Sequence, residues 1–267
     1  MRHCFSIACS IGRRFGIAAL IAQALAIQVA WSDDLQFTIG AKVWANEWSS
    51  WSPTDSRNNN TTFQTIQSIA SNTHVAVIPQ VSARYENFLA TASYFYDTTY
   101  SLGGDINSTT AELSALSASR KEFDGNIGYY ILPSLAVTVG YKQIEQDFTP
   151  LLYKWAGPTV GLAGSASLRG SFGMYGTFAY GRLRLTAPVP DAAGDTHLDA
   201  DYILGELGLS YGVGTPLSHL SFSVTAGYRA QIVSTRKYAV YTGFSGYAPV
   251  DVHDVTYGPA VSVLARF

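Results

Sequence analysis

The sequence predicts an all-β fold: about ten antiparallel strands closed up-and-down into a transmembrane β-barrel, with short turns at one end and long loops at the other. Three observations predict it. Apolar and polar residues alternate with a period of two along ten stretches, the mark of strands with two unlike faces. The connections between them run long, short, long, short, which puts every turn at one end of the sheet and every loop at the other. Charged residues make up only 13% of the 267, aromatics another 13%, and mean hydropathy is just +0.09. That is too little charge for the usual soluble exterior and too little hydropathy for a bundle of membrane helices.

The first element is an export signal. Arg2, Arg13 and Arg14 are followed by the apolar run FGIAALIAQALAIQVAW, and no acid precedes Asp33. The small-x-small triplet Ala24–Leu25–Ala26 completes a secretory signal peptide over residues 1–26, with cleavage as late as residue 30 as the alternative. Residues 27–267 then form a single domain. Cys4 and Cys9 both fall inside the signal, so the exported chain has no disulfide. It carries 14 Lys and Arg against 19 Asp and Glu, a net charge of −5.

Strand one, residues 35–48, sets Leu35, Phe37, Ile39, Ala41 and Val43 against Gln36, Thr38, Gly40, Lys42 and Asn46. Strands two (74–86) and three (88–97) meet almost directly at Glu86–Asn87. Strand four (121–132) sets Phe123, Ile127, Tyr129 and Ile131 against Glu122, Asp124 and Asn126. It joins strand five (135–145) through Pro133–Ser134. Strand six (157–168) pairs Val160 and Leu162 against Thr159, Gly161 and Ser165. Strand seven, FGMYGTFAYGRL, is the least regular, because neither of its faces is cleanly polar. Strand eight (201–211) sets Ile203, Leu207, Leu209 and Tyr211 against Glu206, Gly208 and Ser210. Strand nine (220–232) sets Val224, Ala226 and Tyr228 against Ser223, Thr225 and Arg229. The last strand runs to the final residue, with Val255, Tyr257, Pro259, Val261, Val263, Ala265 and Phe267 on one face.

A closed ring is expected because lipid offers no hydrogen-bond partner to an unpaired strand edge. The final strand therefore pairs with the first. This ending, a terminal Phe267 behind alternating apolar residues and Tyr257, resembles that of bacterial (Gram-negative) outer-membrane β-barrel proteins of the small, roughly ten-stranded type. The pattern covers the whole exported chain. The resemblance implies short periplasmic turns, long extracellular loops, a place in the cell outer membrane, and a last strand read by the barrel assembly machinery. Outer-membrane lipid and lipopolysaccharide are the implied surroundings. Tyr and Trp near strand ends (Trp44, Trp48, Tyr96, Tyr100, Tyr130, Tyr153, Trp155 and Tyr211) are expected in interfacial girdles.

The same parity turns the mid-strand ions Lys42, Arg84, Glu86, Glu122, Asp124, Lys142, Glu206 and Arg229 into the lumen, among Ser, Thr and Gly. Ten strands enclose little space, so ions of mixed sign should pair there. The expected function is non-catalytic: a structural or narrow-pore barrel, with small solutes or surface ligands as open partners. There is no phosphate loop, no metal-ligand cluster and no other cofactor motif. With net negative charge and no basic stripe, nucleic acid is not an expected partner.

Two other classes compete. Asp195 and His197, in the long loop before strand eight, resemble the Asp-x-His of the omptin surface proteases, which would make the rim an enzyme. The facing loop, 98–119, offers only Asp105 and Glu112 where that family has a close aspartate pair. Alternatively, loops 48–73, 98–119 and 234–251 form an adhesin or binding surface with Trp48, Trp51 and Phe63 as contacts. A lipid-A deacylase would need a lipid-facing His and Ser on adjacent strands. His253–Asp254 with Ser262 lies on one strand and does not supply them.

Overall fold

A computed structural model describes residues 35–58, 61–103, 116–191, 193–214, 220–241 and 247–267. The expected signal segment lies outside these residues. Among the described residues eleven strands follow one another: β1 (Leu35–Asn58), β2 (Thr61–Ser71), β3 (His74–Tyr85), β4 (Phe88–Gly103), β5 (Leu116–Leu132), β6 (Leu135–Asp147), β7 (Leu152–Arg169), β8 (Phe172–Thr186), β9 (His197–Val213), β10 (Ser221–Tyr241) and β11 (Tyr247–Arg266). Among the described residues every strand pairing is antiparallel, and each strand from β4 to β11 pairs with the next. β2 and β3 run in succession beside β1 and both reach β4, so together they fill one place in a ring of ten.

β1 closes the ring against β11, in register from Thr38↔Arg266 to Trp51↔His253. Phe37 and Phe267 exchange both backbone hydrogen bonds, at 3.2 and 2.8 Å. At the short-turn end the chain reverses through Glu86–Asn87, Pro133–Ser134 and Gly170–Ser171. Gly170 takes a left-handed backbone there (φ 59°), and Glu86 accepts one too (φ 51°). Glu86 is therefore an exposed turn residue and not a lumen ion, a correction to the sequence reading.

The long connections are shorter than expected, because strands continue through them. β1 and β2 pair from Ser49↔Ala70 to Asn58↔Thr61, inside what reads as a polar loop. β4 runs on to Gly103, and β10 and β11 stay paired as far as Tyr241↔Tyr247. Above the lipid a strand needs no apolar stripe. Its Thr and Ser residues suit a hydrated ladder, and their lack of alternation hides the strand.

The polarity of the wall reverses along its height. In the half near the short turns the outside is apolar: Phe172, Met174 and Phe178 on β8, Leu207 and Leu209 on β9, Val137 and Val139 on β6 are all exposed. Farther up, the outward positions become Arg182 and Arg184 on β8, Asp199 and Asp201 on β9, and Glu145 on β6. The inward positions switch in the opposite sense. Leu183, Leu185, Leu198, Ala200, Tyr202, Leu204, Ile144, Trp155 and Val233 form one buried apolar cluster, and Trp44, Trp48, Ile78, Phe95, Tyr100 and Leu102 belong to another. The barrel is a membrane protein below and has the section of a soluble barrel above.

This overturns part of the girdle assignment. Trp44, Trp48 and Tyr100 are 0% exposed, Trp155 is 4% exposed, and all four point inward. Tyr130 and Tyr153 also lie on the inward parity. Tyr96 and Tyr211 are the two expected girdle residues that face out. Large rings fill the upper lumen because only they span it. They meet edge to face, Trp48 with Tyr100 at 5.5 Å and Trp44 with Phe95 at 6.1 Å between centroids.

Candidate functional site

Six of the eight ions expected to line the lumen converge in one layer beneath the aromatic clusters, Glu86 having gone to its turn. Lys42 on β1 reaches both carboxylate oxygens of Glu206 on β9, at 2.6 and 2.5 Å. Arg229 on β10 joins Glu206 at 3.1 Å, and the Tyr175 hydroxyl donates to it at 3.0 Å. Lys142 on β6 bridges Glu122 and Asp124 of β5, each at 2.6 Å. Gln231, two residues above Arg229, donates to Glu122 at 2.5 Å, so β10 contributes a side chain to each group. Arg84, the seventh, sits apart near the turn. It bonds the Glu86 carbonyl at 3.1 Å and lies 4.0 Å over the Tyr130 ring.

Sequence reading missed Arg120, which holds Glu122 from the other side at 2.7 Å and is itself fully enclosed. The only signal for it was its parity with Glu122 and Asp124. A buried charge is tolerated when it is paired and hydrogen-bonded, and every ion of this layer is paired. Two guanidiniums also lie against rings, Arg120 at 5.7 Å from Trp48 and Arg229 at 5.2 Å from Trp44. Room for the layer comes from glycine. Gly208 and Gly227 face each other across β9 and β10, and a Cβ on either would strike the Tyr175 ring or hydroxyl at 2.7 Å. A ring laid across two bare backbones delivers its hydroxyl to Glu206.

On the short-turn side of this layer lies a cavity of about 290 Å³, lined by Thr38, Thr91, Thr138 and Thr177 together with apolar residues such as Leu89 and Ala163. Its roof is the ion layer itself, through Lys42, Asp124, Glu206 and Arg229. The lumen is thus lined by threonines and small apolar residues below, ionic in the middle and apolar above. Among the described residues no group of three or more His, Cys, Asp or Glu is placed to hold a metal.

The rim candidates fall elsewhere. His197 opens β9 on the outside and meets the Thr196 hydroxyl through Nδ1 at 3.0 Å. The Asp195 backbone N–H donates to Asp191 at 2.9 Å. Asp105 and Glu112 lie outside the described residues, as does the side chain of Phe63. Trp48 is buried in the lumen and is no loop contact, whereas Trp51 is 37% exposed. Ser262 is buried on the inward face of β11, whereas His253 lies on the outward parity of the same strand.

The outer wall carries a second constellation, just above the apolar band. Lys121 and Lys154 flank Glu145 at 2.8 and 3.7 Å. Asp201 accepts from the Tyr180 hydroxyl at 2.9 Å and from Arg182 at 3.1 Å, and it also pairs with Arg236. Beside it, Ser234 of β10 and His253 of β11 are direct cross-strand partners, with Oγ and Nδ1 2.8 Å apart. Trp51 stacks on the imidazole at 4.3 Å with 29° between planes.

No protein-family model matches the chain, and no curated protein does. Solved structures do. The outer membrane protease OmpT of Escherichia coli aligns over 90% of this chain and 99% of its own, with TM-score 0.51 and 11% identity. The fold is that of an outer-membrane β-barrel. The translocator domain of the autotransporter NalP from Neisseria meningitidis covers all of both chains at 12% identity and TM-score 0.37. The toluene transporter TodX of Pseudomonas putida gives 10% identity and TM-score 0.29, over 89% of this chain and 91% of its own. Identities this low carry the architecture and leave the activity open.

Proposed function

We propose that the protein is a sealed outer-membrane barrel, exported by its N-terminal signal, which passes no solute through its lumen and acts at its outward surface. The observation that carries this reading is the stack of ion layer and aromatic clusters across the bore. Lys142 is 0% and Arg120 1% exposed, and Trp44, Trp48, Tyr100 and Tyr202 fill the space above them. A conducting pore needs binding weak enough to let an ion leave, whereas these charges are paired with one another and roofed by apolar rings. Outer-membrane lipid and lipopolysaccharide surround the apolar band, and the barrel assembly machinery reads the last strand through Tyr257 and Phe267.

Single-channel recording tests it. The refolded protein in a planar bilayer should give no steps, with heat-modifiable gel mobility showing that the barrel is formed. Regular, reproducible steps from folded protein would make it a pore and overturn the reading.

A further inference from the structure

We propose that Ser234 and His253 form a nucleophile–base pair that hydrolyses acyl esters of anionic amphiphiles in the outer leaflet. This goes beyond the sealed barrel and rests on its placement in the outer membrane.

The geometry has three parts. A serine hydroxyl and an imidazole nitrogen lie 2.8 Å apart, within the range a base needs to take the hydroxyl proton. Both side chains point outward, and Trp51 against the imidazole fixes the plane of the ring. Their depth matches an ester. Below Ser234 the outward face of β10 is Ile232, Ala230, Tyr228, Ala226, Val224 and Phe222. Below His253, β11 shows Val255, Tyr257, Pro259, Val261 and Val263. Ten residue steps of ~3.3 Å, tilted by about 40°, rise about 25 Å, the height of the lipid-facing band of such barrels. The pair therefore sits where acyl chains meet head groups.

The charge beside it suits an anionic head group. Asp201 lies directly across from Ser234 on β9 and gathers Arg182 and Arg236. Each guanidinium has five N–H donors, more than this carboxylate can accept, so both keep donors for a phosphate or for the oxygen that gains charge during attack. Arg236 is two residues beyond Ser234 on the same strand.

The chemistry balances with water as the second substrate. Ser234 Oγ attacks the acyl carbonyl while its proton passes to His253 Nδ1. The carbon–oxygen bond to the lipid breaks, and the imidazole returns the proton to the departing alkoxide. Water, deprotonated by the same nitrogen, then cleaves the acyl-serine to a fatty acid and restores the hydroxyl.

The whole chain, refolded into dioleoylphosphatidylglycerol vesicles, is treated with an alkyl fluorophosphonate, and fatty-acid release is followed in parallel. The expected results are a mass adduct on Ser234, its loss in His253→Gln, and release at least about 100-fold slower in Ser234→Ala and His253→Gln. Gel mobility confirms that each variant is folded. Absence of an adduct on folded wild-type protein, or release unchanged in both variants, overturns the proposal. An adduct without phosphatidylglycerol hydrolysis keeps the pair and overturns the anionic diacyl lipid as its substrate.

Discussion

Lys142 shows what a single residue contributes to this barrel. Its ammonium is enclosed by Glu122, Asp124 and the Tyr202 ring, 5.5 Å from the ring centroid. Lys142→Met should cost about 3–5 kcal/mol, since it strands two carboxylates that lose a shared partner. Lys121→Met, at a half-exposed pair on the outer wall, should cost no more than about 1 kcal/mol. Urea titration of the folded barrel in lipid measures both, and equal effects would remove the special standing of the inner layer. The two faces of β6 offer a second comparison. Val139→Arg puts a charge against lipid and should cost about 2–4 kcal/mol, while Thr138→Arg enters the cavity under Asp124 and Glu206 and should cost less.

At the scale of the element, β8 explains what could and could not be read in advance. Its irregular alternation is two regular patterns joined. Phe172, Met174, Phe178 and Tyr180 are apolar on the even positions; Leu183 and Leu185 are apolar on the odd ones. β9 makes the same exchange, from Leu198, Ala200, Tyr202 and Leu204 to Leu207, Leu209 and Tyr211. A period of two reports two faces without saying which is outward, so the ten strands and the inward ions were legible and the apolar upper core was not. The visible signal was the change of parity itself. Ser234 and His253 were hidden for another reason: their pairing depends on register, across nineteen residues of which 234–251 read as loop.

One connection between strands also invites a pH experiment. Asp191, in the turn between β8 and β9, accepts backbone N–H groups of Ala193, Asp195 and Ala239 at 2.9 Å, tying that turn to β10. Desolvation opposes its charge, but these donors outweigh it and hold the carboxyl below the ordinary Asp value. The group is more acidic folded than unfolded, so its contribution is complete above about pH 4 and fades as pH falls through the lowered value. Amide exchange at Ala239 should stay slow at neutral pH and quicken only in acid. In Asp191→Asn it should be faster at neutral pH as well, and an unchanged rate would show the tie to be incidental.

For the whole molecule, closure is the decisive step, and it falls to the two ends of the ring. Phe267 contributes two backbone hydrogen bonds to Phe37 and an exposed ring at the short-turn rim. Deleting it should reduce the fraction of heat-modifiable barrel recovered from membranes several-fold. Full recovery would place the closing signal farther up β11, toward Tyr257, whose hydroxyl donates to Glu47 at 3.1 Å.

The exchange of inner and outer polarity also gives the molecule a draught, as a hull has one. Each strand carries its own waterline, between Tyr180 and Arg182 on β8, Ile203 and Asp201 on β9, Ile232 and Ser234 on β10. One outward position is a step of about 6.6 Å along the strand. Sinking by that much would press the Arg182–Asp201–Arg236 group into hydrocarbon, and rising by as much would expose a ring of apolar side chains to water. Membrane thickness is thereby written into the wall, and a bilayer a few ångströms thinner or thicker must bend to meet this barrel.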